Sequence, residues 1–220
     1  AQALGVSIPT VSRALKDSPE ISRELCAKAK ALAKEMNYRP NPFAMSLRKN
    51  APRIIGVVVP DIVTHFFASI LNGIENMAIA NGYFVIITTS HESYEHEKRN
   101  IENLVNMRVE GIIACLSQET TDFSHISALK DINMPLILFD RVCLTDQFSS
   151  VIADGAQSAQ MATQHLLDNG SERVAFIGGA NHLDIVKRRK HGYLEALREN
   201  RIPIEKELVV CRKIDYEEGK

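Results

Sequence analysis

The residues best suited to a chemical task lie near the start of the sequence, in residues 5–15. Gly5 suits a tight turn between two helices because it lacks a Cβ, and Ser7 is placed to cap the second helix. The cap and the side chains that this spacing turns outward are Ser7, Ile8, Pro9, Thr10, Ser12 and Arg13. In a helix-turn-helix unit, side chains at the start of the second helix contact base edges in the major groove of DNA. An arginine there suits guanine, whose O6 and N7 both accept hydrogen bonds.

The alternative for this segment is a small helical hairpin whose outward side chains are merely solvated. Residues 1–50 carry nine Lys and Arg against four Asp and Glu, whereas residues 51–220 carry 17 against 23. The formal charge is therefore +5 for the head and −6 for the body, within a total of −1. Because phosphate contacts need local cations, this asymmetry predicts that the head binds a polyanion.

The elements that must position these side chains differ between head and body. Residues 21–36 carry an apolar stripe at helical spacing, with Ser22 as a cap; its members are Leu25, Ala29, Leu32, Ala33 and Met36. Two prolines, Pro40 and Pro42, end this helical region. From residue 53 onward, β-branched runs alternate with amphipathic stretches, which predicts parallel βα units. The predicted strands are 53–59, 83–89, 111–116, 135–139, 150–153, 174–177 and 208–211, and the predicted helices are 66–81, 93–107, 122–132, 155–169 and 185–200.

Several classes of protein are disfavoured by missing patterns. No apolar run approaches the roughly 18 residues that span a bilayer, and no signal peptide is recognisable, so we expect a cytoplasmic protein without a membrane partner. The dispersed cysteines are expected to be buried thiols; they are Cys26, Cys115, Cys143 and Cys211. The sequence contains no GxGxxG, GxxxxGK[ST], HExxH or GxSxG motif, so we expect no enzyme, no cofactor and no metal site.

The sequence resembles the LacI/GalR family of bacterial repressors over its whole length. The N-terminal motifs that carry the resemblance are Gly5-Val6-Ser7, Thr10-Val11-Ser12-Arg13-Ala14-Leu15, Ile21-Ser22 and Asn37-Tyr38-Arg39-Pro40-Asn41. Matching motifs in the body are Gly56-Val57, Glu110-Gly111-Ile112-Ile113, Phe139-Asp140-Arg141, Arg173-Val174-Ala175-Phe176-Ile177-Gly178-Gly179 and Arg189-Lys190-His191-Gly192-Tyr193. The resemblance implies an all-α helix-turn-helix DNA-binding domain, followed by an α/β core like that of the periplasmic binding proteins, with two Rossmann-like lobes and parallel sheets.

The resemblance also implies the order of the domains along the chain. Residues 1–40 would be the helix-turn-helix domain, 41–50 a hinge helix, 51–149 the first lobe of the core and 150–220 the second. The abrupt start at Ala1 and the stop at Lys220 predict a fragment that lacks the beginning of the first domain and about half of the second lobe.

In the hinge, the resemblance implies a helix that folds in the minor groove of DNA, with Leu47 as an apolar wedge between base pairs. The DNA-binding residues assigned there are Asn41, Ala44, Leu47 and Arg48. A helix this short and exposed should not fold alone in water, so the hinge is expected to fold when it binds DNA. Without the preceding domain, a solvated linker would be the better interpretation.

The ligand of an open α/β sheet lies beyond the carboxyl ends of its strands. The effector-binding residues assigned there, from position and resemblance, are Phe66, Phe67, Arg141, Asp154 and Arg189. One of the two phenylalanines must be core, and Phe67 is the better candidate. An exposed salt bridge is the alternative for Arg141, and helix capping is favoured over ligand contact for Asp154. Arg189 is assigned through the motif Arg-x-x-Gly-Tyr, because its basic neighbours alone would indicate only a solvated helix face.

The resulting prediction is a transcription repressor that binds a pseudo-palindromic, double-stranded operator as a homodimer, with a tetramer as the alternative oligomer. The resemblance implies control by a small-molecule effector in the cleft between the lobes; a sugar is expected, with a purine or a protein corepressor as the alternatives. One alternative is a solute-binding receptor for transport, which has no need of a basic head. The other is an enzyme of the sugar-kinase or deoxyribonuclease kind, against which the missing motifs count.

Overall fold

The computed structural model describes residues 1–38 and 53–212. The chain separates into two compact units, Ala1–Ala51 and Pro52–Lys220. Within the described ranges, no helix is both long and apolar enough to cross a membrane.

The first unit is helical where it is described. A short 3-10 turn, Gln2–Leu4, precedes helix α1, Ile8–Ala14, and helix α2, Arg23–Glu35. Its core consists of Ala14, Cys26 and Ala29, and the side chains packed around them are Leu4, Leu15 and Ile21. Placing Met36 in the apolar stripe was wrong: α2 ends one residue earlier, at Glu35, and the Met36 side chain is exposed.

The second unit alternates strands with helices, as the sequence predicts. Its strands are β1 Ile54–Val59, β2 Phe84–Thr89, β3 Gly111–Ala114, β4 Leu136–Phe139, β5 Ser149–Val151, β6 Phe176–Gly178 and β7 Val209–Cys211. Its helices are α3 His65–Ala80, α4 Tyr94–Asn106, α5 Ser124–Asp131, α6 Gly155–Asp168 and α7 Asp184–Glu199, and a 3-10 turn spans Lys206–Leu208.

In the second unit, every strand pair within residues 53–212 is parallel. Five strands form one sheet in the order β2-β1-β3-β4-β5, and β6 pairs with β7 in a separate sheet. Because β5 hydrogen-bonds to β4, the predicted start of the second lobe at residue 150 falls inside a strand of the first sheet. The described part of this unit is therefore two parallel α/β layers, the Rossmann-like arrangement expected of the core.

The central strand β1 is covered on both faces. Val58 belongs to a buried cluster that includes Leu104 of α4, whereas Val57 lies in another cluster with Phe67 and Leu71 of α3. Successive strand residues point to opposite faces, so a strand between two helical layers reads as a continuous apolar run. The run Ile54–Val59 is buried almost throughout for this reason.

Local hydrogen bonds explain where predicted and observed helix ends differ. The Thr64 hydroxyl accepts from the Phe67 N–H at 3.4 Å and caps α3, which therefore begins at His65. The Asp122 carboxylate accepts from the Ser124 N–H at 2.9 Å, and this side-chain turn delays the start of α5 by two residues from the predicted one.

Helices α6 and α7 cross in close contact at a glycine. A Cβ on Gly192 would lie 1.9 Å from the carbonyl oxygen of Ala156, so only glycine fits at this crossing. The next residue, Tyr193, is buried, and its hydroxyl donates to the Val174 carbonyl oxygen at 2.8 Å. The Gly-Tyr part of the Arg-x-x-Gly-Tyr motif therefore serves helix packing.

Candidate functional site

The helix-turn-helix segment has the backbone geometry that its residues require. Gly5 has a φ of 63° and a ψ of 23°, a left-handed conformation that favours glycine. Ser7 is the N-cap of α1, and its hydroxyl oxygen accepts from the Thr10 N–H at 3.3 Å. Pro9 lies in the first turn, where its missing N–H removes no hydrogen bond of the helix. The turn and the cap together fix the direction in which α1 leaves the turn.

The beginning of α1 presents its side chains to solvent. Ile8 is 72% exposed, and Ser7, Pro9 and Arg13 are exposed as well. Thr10 and Ser12 are half-buried, and the Thr10 hydroxyl lies 2.8 Å from that of Ser7. The opposite side of α1 is anchored through Ala14, which is fully buried against α2. The structure thus brings all six predicted residues of this segment to one short helix and its cap.

The charged side chains of this unit form exposed ion pairs. The Arg13 guanidinium lies 3.0 Å from the Glu20 carboxylate, and Lys30 lies 2.5 Å from that of Asp17. The four hinge residues assigned to DNA contact, Asn41, Ala44, Leu47 and Arg48, lie outside the described residues.

The two phenylalanines after β1 have different surroundings. Phe67 is only 6% exposed, and its ring lies 6.4 Å from that of Phe139 in the core. Phe66, at the edge of Phe67, is 50% exposed. The effector assignment of Phe67 is therefore corrected: its side chain fills the space between α3 and the sheet, and Phe66 is the aromatic that a ligand could reach.

Arg141 is bound within the protein. Its Nη2 donates to Glu92 Oε1 at 3.0 Å and its Nη1 to Oε2 at 2.6 Å, and Nη1 also donates to the Leu116 carbonyl oxygen at 3.1 Å. Burial alone would raise the pKa of Glu92, but the hydrogen bonds and charge of Arg141 and the N–H of Gln118 outweigh it, so this pKa lies below its ordinary value. The salt bridge considered for Arg141 is present, and it is more buried than expected.

The neighbouring Asp140 turns the chain at the carboxyl end of β4. Its φ is 57°, in the left-handed region that aspartate tolerates better than most residues. Burial raises the pKa of Asp140 above its ordinary value, and the positive charges of Arg141 and Arg189 oppose this shift. Arg189, from α7, is therefore close enough to act electrostatically on the loop after β4.

Asp154 and Arg189 come together at the N-terminus of α6. Asp154 caps this helix, since its Oδ1 accepts from the Gln157 N–H at 3.0 Å. Arg189 passes over the adjacent Gly155, with its Cγ 3.3 Å from the point that a Cβ there would occupy. Both side chains are exposed, and Arg189 makes no hydrogen bond or ion pair within the described residues. A ligand could therefore receive hydrogen bonds from the guanidinium without breaking an existing one.

A cavity of about 270 Å³ lies at the carboxyl ends of β3 and β4 and at the start of α7. Its lining includes Thr120, Arg141 and Thr145 from the loops and His182 and Lys187 from the α7 side. Of the five predicted effector residues, all within the described ranges, only Arg141 lines this cavity. The exposed side chains of Phe66, Asp154 and Arg189 lie outside this cavity lining.

A buried acid that the sequence reasoning missed supports the floor of the cavity. Glu97 of α4 is fully buried and accepts from the Ser117 N–H at 2.5 Å, from the Thr120 hydroxyl at 2.9 Å and from His125 Nε2 at 2.8 Å. The sequence feature that could have predicted its burial is its helical spacing from Ile101 and Leu104, which puts Glu97 on the inner face of α4. The carboxylate holds the loop after β3 in place.

Three of the four cysteines are buried, as predicted, and Cys211 is half-buried. Burial raises the pKa of Cys115 and that of Cys143 to about 12. Both thiols are therefore protonated at neutral pH, whereas the thiolate is the nucleophilic form. Within the described ranges, no group of three His, Cys, Asp or Glu residues could hold a metal ion.

Comparison with protein-family models gives two matches along this chain. Residues 1–41 match the model of bacterial regulatory proteins of the lacI family. Residues 53–220 match the model of periplasmic binding proteins and the sugar binding domain of the LacI family. The two matches correspond to the helical head and the α/β body.

Curated relatives and solved structures agree with these models. The chain is 31% identical to catabolite control protein A of Priestia megaterium over 224 residues, which cover 100% of this chain and 66% of that protein. It is 32% identical to the ribose operon repressor of Bacillus subtilis (strain 168) over 199 residues, covering 90% of this chain and 59% of that protein. The crystal structure of the lac repressor dimer bound to operator and the anti-inducer ONPF matches with a TM-score of 0.74 and 25% identity, covering 98% of this chain and 64% of that one. The chain therefore spans about three fifths to two thirds of the length of these proteins.

Proposed function

The chain belongs to the LacI family of bacterial regulatory proteins, and we propose that the whole protein is a sequence-specific DNA-binding transcription repressor. The observation that carries the proposal is the capped helix α1, whose exposed beginning presents Ile8, Pro9 and Arg13 while Ala14 anchors it to α2. A helix that packs on the core with one face and exposes the opposite face to solvent can enter the major groove. We place the protein in the cytoplasm, where operator DNA is found, and assign it no cofactor and no catalysis.

In this proposal, base reading is divided among the side chains of α1. Arg13 donates to O6 and N7 of a guanine, and Ile8 packs against a thymine methyl group. Ser7, Thr10 and Ser12 bind phosphates or base edges through their hydroxyls, and Pro9 adds apolar contact. An apolar Ile8-Pro9 pair at the start of the helix favours methyl contacts over hydrogen bonds there.

The protein would act as a homodimer on a pseudo-palindromic operator, with a tetramer as the alternative. A protein with two-fold symmetry binds a site with two-fold symmetry. The lac repressor bound to its operator is a dimer, which supports this for a protein that the chain resembles. In the hinge, Asn41, Ala44 and Arg48 would contact the minor groove, and Leu47 would enter between base pairs at the centre of the site.

The proposed effector site is the cleft at the carboxyl ends of the strands. Phe66 offers an aromatic face, Arg189 offers a guanidinium without an internal partner among the described residues, and Asp154 stands beside it as the cap of α6. Such a set of one ring and a few polar groups suits a sugar. The match to the sugar binding domain of the LacI family and the similarity to a ribose operon repressor support the same class of ligand. Arg141 lines the cavity, but its guanidinium is already bound to Glu92. We therefore assign Arg141 to the wall of the cavity and not to hydrogen bonding with the effector.

Control of DNA binding would follow from unequal effector affinity for two arrangements of the protein. An effector that binds the DNA-competent arrangement less tightly lowers operator affinity, and the operator lowers effector affinity by the same factor. The effector thus acts as an inducer or a corepressor according to which arrangement it favours.

The proposal is tested by selecting duplexes from a random pool with the complete protein at several salt concentrations. A repressor of this kind should yield a palindromic consensus, and the logarithm of its affinity should fall with the logarithm of salt by about 0.9 for each phosphate neutralised. A solute-binding receptor, the alternative, would bind a sugar without enriching any sequence. Failure to enrich a consensus would overturn the assignment.

A further inference from the structure

The guanidinium proposed to read a guanine already has a partner within the same unit. Arg13 Nη1 donates to Glu20 Oε2 at 3.0 Å. The two side chains are 60% and 68% exposed, so DNA can reach both. One end of the guanidinium is engaged by the carboxylate, whereas Nε and Nη2 have no hydrogen bond among the residues described.

The position of Glu20 is fixed by its neighbours in the turn between α1 and α2. The Ser18 N–H donates to the Arg13 carbonyl oxygen at 3.1 Å, and the Ile21 N–H donates to the Ser18 carbonyl oxygen at 3.0 Å. Ile21 packs on the small core of this unit, and Pro19 restricts the backbone between these points. The carboxylate is therefore presented to Arg13 by a well-anchored turn.

Arg13 also lies on the side of α1 that carries the other exposed side chains. It follows Pro9 by four residues, a spacing that puts both on the same face of a helix. A long, unpaired arginine on this face would sample many rotamers and would contact any nearby phosphate. A carboxylate at one Nη restricts those rotamers and repels phosphates at the same time.

We infer that Glu20 is a positioning residue for base recognition: it holds Arg13 so that the free edge of the guanidinium meets guanine, and it discourages the contacts of Arg13 with phosphates. The inference rests on the proposed function. It predicts opposite effects of Glu20 on the two kinds of DNA binding. Ordering Arg13 in advance strengthens binding to the cognate site, whereas the negative charge weakens binding to unrelated sequences.

The test is Glu20→Gln in the complete protein, with affinities measured for the selected operator, for the same operator with the guanine contacted by Arg13 replaced, and for unrelated duplex. We expect the variant to bind unrelated duplex more tightly and to lose about twofold to tenfold of its discrimination at that guanine, the effect of freeing one rotamer-rich side chain. Unchanged discrimination at the guanine would overturn the inference.

Asp17→Asn is the matched control for charge. Asp17 lies in the same turn, is 65% exposed and pairs with Lys30 instead of Arg13. This variant should tighten binding to all three duplexes alike and leave the preference for guanine intact. An equal loss of preference in Asp17→Asn would assign the effect to net charge and refute the positioning role.

The double variant Arg13→Ala with Glu20→Gln tests whether Glu20 acts through Arg13. In the Arg13→Ala background, Glu20→Gln should leave base preference unchanged, because the residue to be positioned is gone. A loss of preference that persists there would contradict the inference. If the wild-type protein itself has no sequence preference, the proposed function fails, whereas a wild-type preference that Glu20→Gln leaves intact overturns only the role of Glu20.

Discussion

Glu92 and Arg141 form a two-point ion pair across the carboxyl edge of the five-stranded sheet, with N–O distances of 2.6 and 3.0 Å. Glu92 follows β2 and Arg141 follows β4, and strands β1 and β3 lie between them. The N–H of Gln118, after β3, donates to the same Glu92 carboxylate at 2.7 Å. One carboxylate thus ties three loops together at the edge where the ligand is expected.

Replacement of Glu92 by Gln should destabilise this unit. The change leaves the half-buried Arg141 charge without its counter-ion, so we expect the free energy of unfolding to fall by about 1–3 kcal/mol. Denaturant unfolding followed by circular dichroism measures this. Glu205→Gln is the control, because its exposed pair with Arg173 should contribute less than about 1 kcal/mol. Equal losses in the two variants would contradict the structural role of Glu92.

The stability difference between the wild type and Glu92→Gln should depend on pH in a defined direction. The pKa of Glu92 is lowered in the folded state, so its charged form stabilises the fold at every pH above the unfolded value of about 4.3. The stabilisation by the Glu92 carboxylate is lost only as the pH falls below this value and through the lower pKa that Glu92 has in the folded protein. Melting temperatures of both proteins between pH 7 and pH 3 should show a constant gap down to about pH 4.5 and a closing gap below it. A gap that widens on acidification would reverse the assigned sign.

Replacement of Gly192 by Ala should separate helices α6 and α7. The new Cβ would overlap the Ala156 carbonyl oxygen, from which it would be 1.9 Å away, and backbone must move to relieve it. We expect a loss of about 3 kcal/mol in unfolding free energy. Gly73→Ala is the matched control, since nothing lies within 4 Å of its added Cβ and alanine favours helix α3. A Gly192→Ala protein as stable as Gly73→Ala would show that the two helices are not held at this contact.

Replacement of Arg189 by Ala should impair the response to effector and leave operator binding unchanged. Loss of charged hydrogen bonds to a sugar should weaken its binding by about tenfold to a hundredfold. The sugar is first identified as one that alters the operator affinity of the wild type. Its affinity for both proteins is then measured by calorimetry. Arg198→Ala, which removes a charge from the far end of the same helix, should behave like the wild type. Unchanged sugar affinity in Arg189→Ala would remove this residue from the site.

Much of the local structure could be predicted because it depends on nearby residues. The turn at Gly5 and the caps at Ser7 and Asp154 each rest on a hydrogen bond or a torsion angle within a few residues. The order of strands and helices follows from apolar periodicity in the same way. The predicted start of β6 at residue 174 was two residues early, because pairing with β7 begins only at Phe176, opposite Val209.

The contacts of the candidate site could not be predicted, because they join residues far apart in the sequence. Arg141 meets Glu92 only because β2 and β4 end at the same edge of one sheet. The burial of Phe67 rather than Phe66 depends on how α3 lies on that sheet. Glu97 was missed because its partners lie on a loop and a helix whose conformations only the folded chain defines.

The contact at Gly192 sets the spacing of two residues that belong to different helices. Asp154 is the N-cap of α6 and Arg189 lies on α7, less than one turn before the crossing, so the packing of the two helices fixes the distance between the backbones at these two positions. Residues 154 and 189 could therefore be substituted together as a pair, because the helix packing and not their own side chains sets the distance between their backbones. New side chains at both positions would keep the same backbone spacing, and under the proposed effector assignment they would change which ligand is bound without a change of backbone.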